Sequence, residues 1–233
     1  VTAAKQLVAA DPDGAALDMP AGPSEVLVIA DESARAEFVA ADLLAQAEHD
    51  PQAQALLVTT SAELAHRVDL AVQAQMQRLS RQMILRQSIV NSRIIIAPDL
   101  AGALAISEAY APEHLIIQTR EPRALLEQVH NAGSVFLGSW SPEPLGDYCS
   151  GTNHVLPTYG YARAYSGLSV YDFTRRMTVQ ELSPTGLADL GPIASRLAQL
   201  EGLDAHAAAV DLRLAALRGG ADHQDNAGPG APQ

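Results

Sequence analysis

The sequence has 233 residues, 48% of them hydrophobic, so it is long enough for one large or two modest domains with a core and is not a disordered polypeptide. Its 27 acidic and 15 basic side chains give a formal charge of -12, which repels polyanions and argues against nucleic acid as a partner. The single cysteine, Cys149, excludes an intrachain disulfide and favours a reducing, cytoplasmic location.

The two ends of the chain and its apolar runs give further expectations. We predict no leader, because the chain does not open with a basic segment followed by an apolar one. We predict no membrane span, because no apolar run reaches about twenty residues. The chain begins at Val1 in a helical pattern without an initiator methionine, so we expect an N-terminal part to be missing. Residues 1–22 are predicted to be the end of a preceding domain and a linker.

Short apolar runs alternate with helical patterns in residues 23–160. The predicted strands are 26–30, 56–59, 94–97, 115–117 and 135–137, and the predicted helices between them are 33–49, 60–79, 100–110 and 122–131. Ser33 is the expected N-cap of the first of these helices, and Thr60 with Glu63 has the capping-box spacing for the second. The alternation predicts an open, doubly wound, Rossmann-like α/β domain with a parallel sheet. Since ligands bind at the carboxyl ends of such strands, the polar loop 139–160 is expected to line the crevice.

Residues 161–218 have a mainly helical pattern. A short helix near 170–175, a possible strand at 177–182 and helices at 184–200 and 203–217 are predicted. The helix 184–200 has an apolar stripe that needs a surface to cover, which predicts a small second domain or a dimerisation arm. The tail, 219–233, lacks periodicity and is predicted to be disordered.

Gln46 and His49 are the first candidate ligands. They are three residues apart near the end of a predicted helix, so they project from one face. An amide oxygen and an imidazole suit Zn²⁺, which would need further donors from elsewhere in the chain. The alternative is a solvated glutamine and a histidine that interacts favourably with the negative end of the helix dipole.

Three other stretches contain polar residues that a core does not need. Glu113 and His114 enter a strand together and have the chemistry of a general acid/base pair, or they are a surface glutamate beside a packed histidine. The loop 146–154 contains Asp147 and His154, and the stretch 201–206 contains Glu201 and His206. For both stretches the alternative is a solvated loop or an acid that caps a helix.

Cys149 could be a nucleophile, but no base lies at a fixed spacing, and a small buried side chain is the preferred interpretation. No G-x-G-x-x-G follows a strand, so the chain lacks a dinucleotide fingerprint. The residues by themselves indicate a zinc-dependent enzyme acting on a small polar substrate.

The motifs together resemble the histidinol dehydrogenase family. The matching runs, in family order, are 18–27, 46–49, 112–116, 132–138, 146–157, 177–182 and 201–206. The resemblance implies NAD-linked oxidation of L-histidinol through L-histidinal to L-histidine, the last step of histidine biosynthesis. It also implies that much of the nicotinamide site belongs to an N-terminal half that this sequence does not contain, so the cofactor-binding residues are unknown.

The roles implied by the resemblance are assigned motif by motif. Zn²⁺ would be bound by Gln46, His49, Asp147 and His206, and these four would also contact the substrate. His114 would be the general base and bind substrate, Glu113 would activate water, and Ser24, His154 and Glu201 would hydrogen-bond the substrate. The family also implies a homodimer with shared active sites, in which Glu201 and His206 serve the partner's site.

Two other hypotheses compete with the dehydrogenase. One is a truncated, non-catalytic, zinc-binding dimerisation fragment of the same enzyme. The other is a zinc lyase or aldolase that uses the same ligands without a redox step.

Overall fold

Five strands form one parallel sheet in the order β3-β2-β1-β4-β5. The computed structural model describes residues 2–219, and the strands are β1 Glu25–Ala30, β2 Gln54–Thr59, β3 Arg93–Ile96, β4 His114–Gln118 and β5 Ser134–Leu137. Their apolar, β-branched sequences suit strands buried on both faces. The order reverses between β1 and β4, so the predicted doubly wound parallel sheet is confirmed.

Helices cover both faces of this sheet. The helices that do so are α2 Ala36–Ala47, α3 Ala62–Met76, α4 Gln82–Ser88, α5 Leu100–Tyr110 and α6 Pro122–Leu126; α1 Thr2–Ala10 precedes them and α7 Glu143–Tyr148 follows them. Successive strand side chains point to opposite faces: Val26 and Val28 pack with α2, α3 and α4, whereas Leu27 and Ile29 pack with α5 and α6. Buried polar side chains lie where β1 and β4 begin, and also at the carboxyl ends of the strands, where Thr59 and Gln118 are buried.

The chain divides into two compact units, one extending to Arg175 and the other beginning at Arg176. In the second unit α8, Pro184–Leu200, and α9, Asp204–Arg218, pack against each other, and Gly191 of α8 lies against the Leu214 side chain. The predicted helical C-terminal part is therefore confirmed, while the predicted domain boundaries stay predictions. Residues 220–233, most of the predicted tail, lie outside the described residues. None of the helices in residues 2–219 is long and apolar enough to cross a membrane.

Several local expectations were wrong. Residues 177–182 have no regular secondary structure, and Met177 and Val179 are exposed, because an apolar alternation makes a strand only where another strand pairs with it. The first long helix begins at Ala36, since Ser33 bonds to Asp31 in the preceding turn. Ser61, and not Thr60, caps α3.

Candidate functional site

A cluster of buried polar groups lies at the amino ends of β1 and β4. Glu25 is the first residue of β1 and His114 the first of β4, where it pairs in register with Val26. Because α2 connects two parallel strands, it runs antiparallel to them, and its C-terminal end, with Gln46 and His49, returns to the same edge of the sheet. The expectation that the crevice lies at the carboxyl ends of the strands is therefore wrong for this cluster.

The short helix α7 completes the cluster from the other side. It follows β5 and contributes Glu143 and Asp147, which are one turn apart and share a face. Gly146 allows α7 to approach closely, because a Cβ there would lie 2.7 Å from the Phe136 ring of β5. Asp147 thereby reaches the histidine at the start of β4, and its charge acts on His114.

The imidazole of His114 is buried, and its position is fixed by the backbone. Its Nδ1 lies 3.1 Å from the carbonyl oxygen of Glu25. A carbonyl oxygen only accepts, so Nδ1 carries the proton of the neutral ring, and Nε2 is left as the atom able to accept one. Burial lowers the pKa of His114, which favours this neutral form.

Glu113 lies directly beside this imidazole. Its Oε2 accepts a hydrogen bond from the backbone N–H of Glu25 at 2.8 Å and is 3.5 Å from Nδ1 of His114. Burial, together with the neighbouring carboxylates of Glu25, Glu143 and Asp147, raises the pKa of Glu113 to about 8. The Glu113 carboxyl thus holds its proton at neutral pH, and the neighbouring His114 can accept a proton at Nε2, so the two residues have the chemistry of a general acid and a general base.

Two further buried carboxyl groups were missed by the sequence reasoning. Burial raises the pKa of Glu25, whose Oε1 accepts a hydrogen bond from the Tyr159 backbone N–H at 2.9 Å. Burial and the adjacent Asp147 raise the pKa of Glu143 to about 8. The spacing of four residues between Glu143 and Asp147 was the available signal, but it has meaning only on a helix, and this stretch was predicted to be a loop.

The donor groups fit a divalent cation. The Gln46 side chain is 1% exposed, and neither its oxygen nor its nitrogen has a hydrogen-bond partner among the described residues. Buried amides are normally satisfied, so the unpartnered amide of Gln46 is available to a ligand. His114, Glu143 and Asp147 also offer one donor atom each, all within 4.8 Å of one another. Only Asp147 belongs to both this group and the predicted zinc ligands.

The structure brings most of the predicted residues of the first unit together. The charges of His49, Asp147 and His154 all act on His114, although both other histidines are exposed. Ser24 is half-buried and directly precedes Glu25. Cys149, at the end of α7, is exposed, so its interpretation as a small buried side chain is wrong.

The remaining two predicted residues belong to the second unit. Glu201 caps the C-terminal end of α8, and His206 lies in the first turn of α9. Both line a cavity of about 310 Å³ within that unit, and both are exposed. Their predicted roles therefore stay predictions.

The fold and this cluster define a doubly wound α/β protein with a buried acid/base pair beside donors suited to a cation. The family model described as histidinol dehydrogenase matches residues 1–214. The chain belongs to the histidinol dehydrogenase family.

Individual relatives agree with this assignment. The chain is 59% identical over 217 residues to a histidinol dehydrogenase of Vibrio vulnificus strain YJ016, covering 93% of this chain and 50% of that protein. It is 58% identical over 218 residues to a histidinol dehydrogenase of Pectobacterium atrosepticum, covering 94% of this chain and 49% of that protein. A crystal structure of histidinol dehydrogenase from Elizabethkingia anophelis superposes with a TM-score of 0.89 at 47% identity, covering 94% of this chain and 50% of that one. The chain thus spans about half the length of the relatives it matches.

Proposed function

We propose that this chain supplies the acid/base and zinc-binding part of an enzyme that oxidises L-histidinol through L-histidinal to L-histidine with NAD⁺. The observation that carries the proposal is the buried His114 imidazole, whose Nδ1 is held by a backbone carbonyl beside Glu113, so that Nε2 is the atom able to accept a proton. An alcohol oxidation needs such a base, because the hydroxyl proton must leave as the hydride leaves the carbon.

In the first oxidation His114 accepts the hydroxyl proton of histidinol at Nε2, and the hydride passes to NAD⁺. In the second, Glu113 removes a proton from the water that adds to the aldehyde, for which its carboxyl must be ionised, and the hydride of the resulting hydrate passes to a second NAD⁺. A nearby cation lowers the pKa of a carboxyl group, so a bound metal would oppose the effect of burial on Glu113.

Zinc, when bound to Gln46, His49, Asp147 and His206, would hold the substrate's imidazole and amine and so orient the reacting carbon. The unpartnered Gln46 amide and the carboxyl-rich surroundings of Asp147 support this ligand set. Ser24, His154 and Glu201 would hydrogen-bond the substrate.

We further propose a homodimer in which Glu201 and His206 complete the partner's site. The exposed apolar side chains of α8, including Leu190, Ile193 and Leu197, support this proposal, because an uncovered apolar face favours association. The cytoplasmic location stays a prediction from cysteine usage.

One observation favours a second candidate, a non-catalytic zinc-binding dimerisation fragment. The chain covers only half the length of its relatives, and no residue described here is assigned to NAD⁺. Zinc binding and dimer formation by this chain are therefore measured separately from the oxidation of histidinol.

The test follows NADH formation from histidinol and NAD⁺, first with the chain alone and then with the N-terminal half of the Vibrio vulnificus relative added. NADH in either mixture supports the dehydrogenase. Zinc binding and dimer formation without NADH in both would favour the fragment. Conversion of histidinol without reduction of NAD⁺ would indicate a lyase or aldolase.

Substitution then tests the base. His114→Asn should reduce turnover by a factor on the order of 10² or more. The matched control is His66→Asn, which changes an exposed histidine of α3. Equal rates for His114→Asn and the unaltered protein would eliminate His114 as the base.

A further inference from the structure

Glu143 has no role in the proposed reaction, yet its side chain is among the most deeply buried of the described residues. It is 1% exposed, and its Oε1 has no hydrogen-bond partner in the part of the chain that the structure describes. The carboxyl group has a side-chain hydrogen bond with Asp147, but leaving a buried polar atom such as Oε1 without a partner still costs stability. A position that served only to pack α7 would therefore favour an apolar side chain.

The contacts of Glu143 are with two residues of the proposed site. Its Oε1 lies 3.7 Å from Nε2 of His114, and an oxygen of Asp147 lies within 4.8 Å of both. Since Nδ1 of His114 is held by the Glu25 carbonyl, Glu143 meets the opposite nitrogen of the ring. Groups on different elements thus lie next to the two nitrogens of the imidazole, and only the one at Nδ1 is hydrogen-bonded to it.

We propose that Glu143 is a positioning residue that holds the His114 imidazole and the Asp147 carboxylate in the orientations that the base and the zinc ligand require. This inference rests on the proposed function. The hydrogen bond at Nδ1 and the Glu143 carboxyl near Nε2 together limit rotation of the ring, while Nε2 makes no hydrogen bond among the described residues and stays able to accept the substrate's proton. Asp147, one turn further along α7, is held against the same carboxyl group.

The test compares Glu143→Ala, Glu143→Asp and Glu143→Gln in this chain combined with the N-terminal half of the Vibrio vulnificus relative. The control is Glu127→Gln, which removes an exposed carboxylate just after α6. Zinc affinity is measured without substrate by competition with a chromophoric chelator, and kcat and KM for histidinol are measured separately. Residues that support metal ligands typically change metal affinity or activity by about 10- to 100-fold when removed.

Glu143→Ala should weaken zinc binding and lower kcat by factors in that range, with KM changed much less. Glu143→Gln keeps the length and an oxygen, so it should restore most of both losses, whereas Glu143→Asp withdraws the carboxyl by one methylene and should not. If Glu143→Ala does not fold, the comparison of Glu143→Gln with Glu143→Asp decides. Equal zinc affinities and equal kcat values for these two variants would overturn the inference.

A purely structural role has a different signature. It would lower the melting temperature while leaving zinc affinity and kcat at the values of the unaltered protein, which also overturns the inference. If the unaltered protein makes no NADH from histidinol, the proposed function fails; the zinc affinities of the variants then still decide whether Glu143 positions Asp147.

Discussion

Replacement of Asp42 tests the electrostatics of the buried cluster without removing any proposed catalytic group. Asp42 lies on α2, one turn before Gln46, is 6% exposed, and accepts a hydrogen bond from Nε2 of Gln118 at 2.6 Å. Burial raises its pKa from 3.8 to about 7. Asp42→Asn keeps the shape and an oxygen that can accept the same hydrogen bond, but it removes the ionisation.

The raised pKa determines the sign of the effect. Below pH 3.8 the carboxyl is protonated in both the folded and the unfolded chain and contributes no pH dependence. Between 3.8 and about 7 it ionises in the unfolded chain first, so the free energy of unfolding falls as the pH rises. The free energy of unfolding falls by about 1.4 kcal/mol for each pH unit in this range. The total decrease is about 4 kcal/mol, and it stays constant above about pH 7.

We therefore expect Asp42→Asn to gain stability relative to the unaltered protein from about pH 4 to about pH 7, by up to about 4 kcal/mol. Urea unfolding of the metal-free protein measures this difference by circular dichroism and by fluorescence of Trp140, the single tryptophan, which packs on the Phe38 ring of α2. Asp211→Asn, at an exposed position of α9, is the control. A stability difference between variant and unaltered protein that is the same at every pH would refute the reasoning.

Three other changes have expected outcomes. Gly146→Ala should lower the free energy of unfolding by about 1 to 3 kcal/mol, measured in urea, because its Cβ would lie 2.7 Å from an aromatic ring of β5. Ala111→Gly should raise the free energy of unfolding by about 1 kcal/mol, because Ala111 has a φ of 56°, which glycine adopts more easily. Ala105→Gly should lower it by a similar amount, because glycine is unfavourable in the middle of a helix such as α5. Gln46→Ala should weaken zinc binding about tenfold or more in chelator competition, and the exposed Gln87→Ala should not.

The sheet could be predicted from the sequence because its signal is local. Each strand is a short apolar run rich in valine, isoleucine and leucine, and all five were placed within one or two residues of their observed bounds. The short helices α4 and α7 were missed. The glycines and polar residues of 139–160 suggested a loop, but α7 begins there with Pro142 at its N-cap and Pro144 in its first turn, where proline is compatible with a helix.

The site was predictable only in part, for a different physical reason. Glu113 and His114 are adjacent in sequence and enter a buried strand, so their environment can be inferred locally. Glu143 has an ordinary sequence context, and only the return of α7 toward the sheet buries it. A buried carboxyl of this kind cannot be distinguished from a surface one until the tertiary contacts are known.

The location of the cluster explains why cationic ligands suit it. At the carboxyl ends of parallel strands, helix N-termini point their N–H groups outward and favour phosphate, as in dinucleotide-binding sites. Here α2 and α5 both end at the amino edge of the sheet, so the negative ends of their dipoles face the cluster together with the carboxyl groups of Glu25, Glu113 and Asp147. The dipoles and the carboxyl groups favour positive charge, which a zinc ion would supply. The same field repels a pyrophosphate, and the chain correspondingly has no glycine-rich phosphate loop after any strand.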